Sequence, residues 1–179
     1  MARMELADAT AMLARTPDTL RTLLSGLPEQ WLRRDDGPDT WSAYDILGHL
    51  RHGDATNWLP RARMIIESGT GRAFEPFDRV AMLREAPQPV DELLTAFADA
   101  RRDSLDQLAS LGLTDADLDR PGSHPELGEV RLGQLLSAWV AHDLTHLGQI
   151  GEVLARRYRT DVGPWRTYMP ALDRVATAE

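Results

Sequence analysis

Cysteine is absent from the 179 residues. That excludes a disulfide scaffold, catalysis by a thiolate of the protein itself, and every zinc or iron–sulfur site that needs sulfur ligands. Any metal must be held by His, Asp or Glu. Positive charge is also short: 20 Lys and Arg face 28 Asp and Glu, a formal net charge of −8. The arginines are scattered, so the chain is a poor electrostatic match for DNA or RNA. No apolar run approaches the roughly 18 residues of a membrane span, so none is expected. Met1 to Leu13 lacks the apolar core and small-residue cleavage site of a secretory leader. The expected location is the cytoplasm and the expected partner a small molecule.

What is present suits a globular protein. Hydrophobic residues make up 42%, enough for one core in a single domain spanning residues 1–179. The chain reads as helices joined by connections rich in Pro, Gly and Asp, without repeats or an alternating strand pattern. Glu5 to Leu13 is moderately apolar. Thr16-Pro17-Asp18 reads as an N-cap followed by Pro at the first helical position. The first helical arm therefore bends near Pro17 and ends at Leu27-Pro28. Trp31 to Thr40 reads as a loop. Ser42, with Asp45 three residues later, caps a second helix that runs through His49 and Trp58 towards Glu67, kinked at Pro60. Gly69 to Asp78 is a connection. A third helix covers about Val90 to Leu111, where Leu93, Leu94, Phe97, Leu105 and Leu108 lie at helical spacing. Thr114 to Gly128 reads as a loop, and Arg131 to about Tyr158 as the longest and most apolar helix. In the tail, Trp165 and Tyr168 suggest docking on the body. Four long segments predict an all-α fold, a four-helix bundle with kinked first and second helices.

His142 and His146 are spaced so that both imidazoles stack on one face of the last helix and can converge on one ion. The pair is not H-E-x-x-H, since Asp143 follows His142, so the usual metalloprotease base is missing. On a helical wheel both histidines fall beside Leu135, Trp139 and Val153, on the inward side. Asp143 falls inside the apolar arc. It either orients a ligating histidine or pairs with an arginine such as Arg51, Arg61 or Arg63. On the second helix His49 borders the apolar face and is the better third ligand, whereas His52 falls on the polar side with Thr56. Asp54 and Asn57 also point inward. His124, in a loop before Pro125, caps a helix end or lines a pocket mouth.

These residues carry a resemblance. Trp41-Ser42, Ile46-Leu47-Gly48-His49-Leu50, Trp58-Leu59-Pro60-Arg61, His124 to Val130, and Trp139 to Ile150 with its H-x3-H-x2-Gln run resemble the DinB/YfiT-like superfamily. The likeness is spread over about Leu13 to Leu172. It implies a four-helix bundle of the DinB/YfiT-like type with unusual connectivity, a metal held by His49, His142 and His146, and a homodimer. Some relatives look like thiol-dependent transferases, which implies a low-molecular-weight thiol as a second cofactor.

Three protein ligands leave open positions on the ion, the catalytic rather than the structural pattern. An all-nitrogen set suits zinc, nickel, copper or iron, with zinc and nickel foremost. The leading expectation is a metal-dependent hydrolase, with Asp143 or Asp54 supporting a ligand or acting as base. A thiol-dependent S-transferase is a close variant. The contrasting expectation is a non-catalytic metal- or ligand-binding stress protein, in which the metal ties two helices together or the pocket only sequesters a ligand; a structural ion predicts a fourth protein ligand, such as Asp54 or His124, and no pocket.

Overall fold

The computed structural model describes residues 4–174; residues 1–3 and 175–179, which fall within the expected 1–179 domain and, at the start, within the Met1 to Leu13 stretch read above, lie outside the described residues. Seven α-helices and one hairpin make up its regular structure: α1 (Leu6–Leu13), α2 (Thr16–Leu24), α3 (Glu29–Leu32), α4 (Ala43–Thr56), α5 (Trp58–Ser68), α6 (Val90–Ser110), β1 (Pro121–His124), β2 (Gly128–Arg131) and α7 (Leu132–Ala155). Short 3-10 turns fill several connections. The four arms of the bundle are α1–α2, α4–α5, α6 and α7. No helix among the described residues is long and apolar enough to cross a membrane.

Both expected kinks are present, as breaks whose details differ from the expectation. α1 stops at Leu13 and α2 starts at Thr16, one residue earlier than an N-cap reading allows. Thr16 does not cap: its Oγ1 donates to Asp143 at 2.7 Å. The second break falls at Asn57, three residues before Pro60. Pro60 has no N–H for the Thr56 carbonyl and its ring crowds that carbonyl, so the helix gives way one turn upstream. The start of α4 matches its sequence signal: Ser42 Oγ accepts from the Asp45 N–H at 3.2 Å, and the Asp45 carboxylate accepts from the Ser42 N–H at 3.0 Å.

The core has two apolar layers. One contains Leu20, Leu24, Ile46, Leu47, Leu50, Phe97, Ile150 and Val153, the other Leu13, Trp58, Ala62, Ile65, Leu108, Leu136 and Trp139. Along each arm the helix passes from one layer to the other, and a polar residue stands at the crossing: Thr16, Asp54, Arg101 and Asp143. The candidate site lies at this level.

Three readings need correction. The stretch expected to be a loop after Thr114 contains an antiparallel hairpin, with Gly122 opposite Val130 and His124 opposite Gly128. Its strands are too short to show alternation, and they are held by neighbours. The Phe74 N–H donates to the Ser123 carbonyl at 2.9 Å, and Gly122 lies so close to α5 that a Cβ there would meet Ile65 at 2.5 Å. Glu29–Leu32 forms a helical turn, α3, that overlaps the expected loop. In the tail, Trp165 and Tyr168 are exposed, and Leu172 is the buried anchor.

Candidate metal centre

α7 presents His142 and His146 from successive turns, and His49 meets them from α4. His49 Nε2 lies 3.0 Å from His142 Nε2, and His146 Nε2 lies 3.2 Å from the same atom. A ligand atom from each ring lies within 4.8 Å of those of the other two. Nitrogens about 2.0–2.1 Å from one tetrahedral ion stand roughly 3.3 Å apart, so the rings need little movement to share one.

Two outer nitrogens are anchored. His49 Nδ1 lies 3.1 Å from the Arg79 carbonyl oxygen. A carbonyl only accepts, so Nδ1 donates and the neutral ring keeps its lone pair on Nε2. His146 Nδ1 likewise donates to Gln149 Oε1 at 2.7 Å. His142 Nδ1 is buried without a hydrogen-bond partner. Trp41 and Phe77 fence the His49 ring at 4.8 and 5.8 Å between centroids, and Trp58 fences His142 at 5.1 Å.

Protonation follows from this enclosure. Burial, reinforced by His146 and His52 and opposed by the Arg79 carbonyl, pushes the His49 pKa down to about 4. Burial and the two other rings push His142 down to about 2. Burial also lowers His146. At neutral pH the rings carry no charge. If His142 holds its proton on Nε2, it can satisfy only one neighbour. If it holds it on Nδ1, three lone pairs meet and a buried donor is stranded, and either arrangement is unfavourable. A cation that accepts all three lone pairs resolves the conflict, so these residues fit a divalent transition metal.

The rings stand at the edge of a cavity of about 1100 Å³ whose walls include Trp41, Asn57, Trp58, Arg61 and His124. His124 therefore belongs to the pocket and not to the histidine cluster. Its Nδ1 accepts the N–H groups of Glu126 and Leu127 at 3.2 and 3.3 Å, which holds the hairpin turn. His52 stacks on Phe77 at 5.3 Å, outside the cluster.

Asp54 and Asp143 are both buried, and both are bound to Arg101. Arg101 Nε and Nη2 donate to Asp54 at 2.7 and 3.0 Å, and Nη1 and Nη2 donate to Asp143 at 2.6 and 3.1 Å. Trp139 Nε1 adds a bond to Asp54 at 3.1 Å, and Arg101 Nη1 also donates to the Leu13 carbonyl at 2.7 Å. Neither carboxylate bonds a histidine; the groups that orient the rings are the Arg79 carbonyl and Gln149. The ion-pair reading of Asp143 matches the structure, with Arg101 in place of Arg51, Arg61 or Arg63. Burial raises the Asp54 pKa to about 6 even against the pull of Arg101. Arg101 carried a signal in the sequence: it sits between Phe97 and Leu108 in the apolar stripe of α6. The Arg79 carbonyl carried none, because a backbone acceptor has no residue type.

The family model of the DinB superfamily matches residues 12–150. Among solved structures, YfiT from Bacillus subtilis, described as a probable metal-dependent hydrolase with an unusual four-helix bundle topology, matches with a TM-score of 0.73 and 19% identity, over 84% of this chain and 86% of that one. At that identity the likeness establishes the fold. No curated protein matches the chain.

Proposed function

The chain belongs to the DinB superfamily, and from that premise we propose that it is a metal-dependent enzyme, a hydrolase whose divalent metal, zinc or nickel, is held by His49, His142 and His146. The observation that carries this reading is the meeting of three neutral imidazoles, with Nε2 of His49 and of His146 both facing Nε2 of His142, beside an open cavity. The description of YfiT points the same way. A structural ion calls for a closed, four-ligand set. Among the described residues the group has three members, and Asp54 is engaged by Arg101 and His124 by the hairpin turn.

When bound, such an ion supplies Lewis acidity, polarising a substrate oxygen or lowering the pKa of a ligand water towards about 7. The chain's own residues do the rest. The Arg79 carbonyl and Gln149 Oε1 fix two rings in the tautomer that leaves Nε2 free. Trp41, Trp58 and Phe77 cover the rings and exclude water from their flanks. The bonds into His124 Nδ1 leave the proton of the neutral ring on Nε2, making that atom the polar donor of the hairpin wall. Asp54 and Asp143 are both engaged by Arg101, so the role given to them here is to hold the arms together and not to act as base. A cavity of about 1100 Å³ slightly exceeds the usual range of roughly 300–1,000 Å³ for one small ligand. That room favours, as a second reading, a low-molecular-weight thiol bound beside the substrate.

The test is metal content by plasma mass spectrometry on untagged wild type, His49→Ala and His146→Ala. Near-stoichiometric metal in wild type and loss in both variants is expected. A wild type that stays empty after reconstitution with zinc and nickel would sink the reading.

A further inference from the structure

The break between α4 and α5 places two side chains one turn apart on the cavity wall, Asn57 and Arg61. Asn57 is 5% exposed, and its Oδ1 is buried with no hydrogen-bond partner. An amide oxygen taken out of water and left unmet is costly unless a ligand supplies a donor. Arg61 is half-buried, and burial lowers its pKa. It makes no ion pair among the described residues: its one hydrogen bond runs from Nη2 to the Glu75 carbonyl at 3.1 Å, with the guanidinium 5.2 Å above the Phe74 ring. That bond takes one of the two Nη2 hydrogens, so one two-donor edge of the guanidinium, made of the other Nη2 hydrogen and its neighbour Nε or Nη1, keeps no protein acceptor. Glu126, on the hairpin turn, acts on Arg61 through space without pairing with it.

The unpaired charge around the cavity leans positive. Arg61 and Arg79 line it together with Glu126 and Glu152. Glu152 is taken up by Arg174 at 2.7 Å, while neither arginine is paired among the described residues. The lining is balanced by formal count, two against two, but with Glu152 paired the unpaired groups are two arginines against one glutamate, a setting that attracts anions.

We propose that the cavity takes a small carboxylic acid bearing an N–H donor beside its carboxylate, with Arg61 binding the carboxylate and Asn57 Oδ1 accepting the N–H; N-acyl amino acids are the simplest members of this class. This assignment deepens, and rests on, the reading of the same cavity as an enzyme site. A single guanidinium edge matches one carboxylate in the two-pronged manner. A phosphate dianion asks for more donors, and the nearby Glu126 repels it more strongly than it repels a monoanion. The polar pair exists because of Pro60: an unbroken helix would carry the Asn57 side chain on a regular turn.

The probes are N-acetylglycine and its uncharged isostere N-acetylglycinamide, titrated calorimetrically into the protein as purified, with metal content measured on the same samples. Wild type is expected to bind the acid about tenfold more tightly than the amide, the worth of one charge-assisted hydrogen bond. Arg61→Gln brings the two dissociation constants together. Asn57→Ala weakens both probes about fivefold and keeps their ratio, as loss of a neutral hydrogen bond would. Glu126→Gln, at an exposed position, tightens the acid about two- to threefold by removing a screened repulsion and leaves the amide unchanged. Equal binding of acid and amide by wild type overturns the proposal. So does a preference that survives Arg61→Gln, which would assign the carboxylate to the histidine-held ion, or inorganic phosphate binding more tightly than N-acetylglycine. If Arg61→Gln loses its helical circular dichroism, Glu126→Gln decides, and an unchanged affinity for the acid overturns the proposal. A wild type without metal that still shows the Arg61-dependent preference would sink the metal reading and leave this one standing.

Discussion

Asp143 follows His142 on α7, yet the two residues belong to polar clusters of opposite kinds. In the Arg101 cluster donors and acceptors match. Nε, Nη1 and Nη2 of Arg101 all donate, and both oxygens of Asp54 and of Asp143 accept. In the histidine cluster they do not match: Nε2 atoms face Nε2 atoms, and the buried Nδ1 of His142 has no partner. A buried cluster that satisfies itself needs nothing from outside and ties elements together. One whose facing nitrogens cannot all be paired is unfinished, and a cation completes it. The two lie at the same level of the bundle because each arm must pass from one apolar layer to the other there.

The contrast can be broken by experiment. The largest effect is expected from Arg101→Leu, which strands two buried carboxylates and should cost about 3–5 kcal/mol in urea unfolding. A cost below about 1 kcal/mol would mean that the cluster does not hold the arms together. Next comes Asp143→Asn, expected to cost about 1–3 kcal/mol through weakened bonds to Arg101 and Thr16. Its bound metal should match wild type by mass spectrometry. Loss of metal there would join the two clusters into one. Smaller still is His142→Ala in metal-stripped protein. The ring makes no protein hydrogen bond beyond its two sister histidines, so the expected change is about 1 kcal/mol or less, against complete loss of metal.

The last test is pH, again without metal. The His49 pKa is about 4 in the fold against 6.5 ordinarily, so the unfolded chain takes up the proton first and stability falls as pH drops from 6.5 to 4. His142, lowered further by burial, adds to the same loss. Asp54, at about 6 in the fold against 3.8, works in the opposite sense: the folded form binds the proton first, and stability rises as pH drops from 6 to 3.8. A modest net loss between pH 6.5 and 4 is expected. Asp54→Asn should steepen it and His49→Ala should flatten it, read as urea midpoints at the two pH values. Parallel curves for all three proteins would show that neither group is shifted as its burial demands.

Much of the bundle was legible because helices write their burial in period. The apolar spacing of α6 and α7 located both to within a few residues, and Ser42 with Asp45 marked the start of α4. The hairpin was not legible. Its four-residue strands begin with Pro and Gly and are held in place by Phe74 and Ile65, which are distant in sequence. The tail docks on the body as expected, but its anchor was misread: Trp165 and Tyr168 are large and apolar, whereas the residue that buries itself is Leu172.

The sequence by itself determined which side chains stand on which helical face. That placed His49, His142 and His146 inward and showed that any metal site here would be built without sulfur, from nitrogen or carboxylate oxygen, since cysteine is missing. Helical geometry is local, so spacing suffices for such statements. Only the tertiary structure decided that Arg101 engages Asp54 and Asp143, that the Arg79 carbonyl and Gln149 set the tautomers of two rings, and that Asn57 and Arg61 share a wall of the cavity. Each of those outcomes is a choice among partners from different arms, and it depends on how the arms pack, which no single segment encodes.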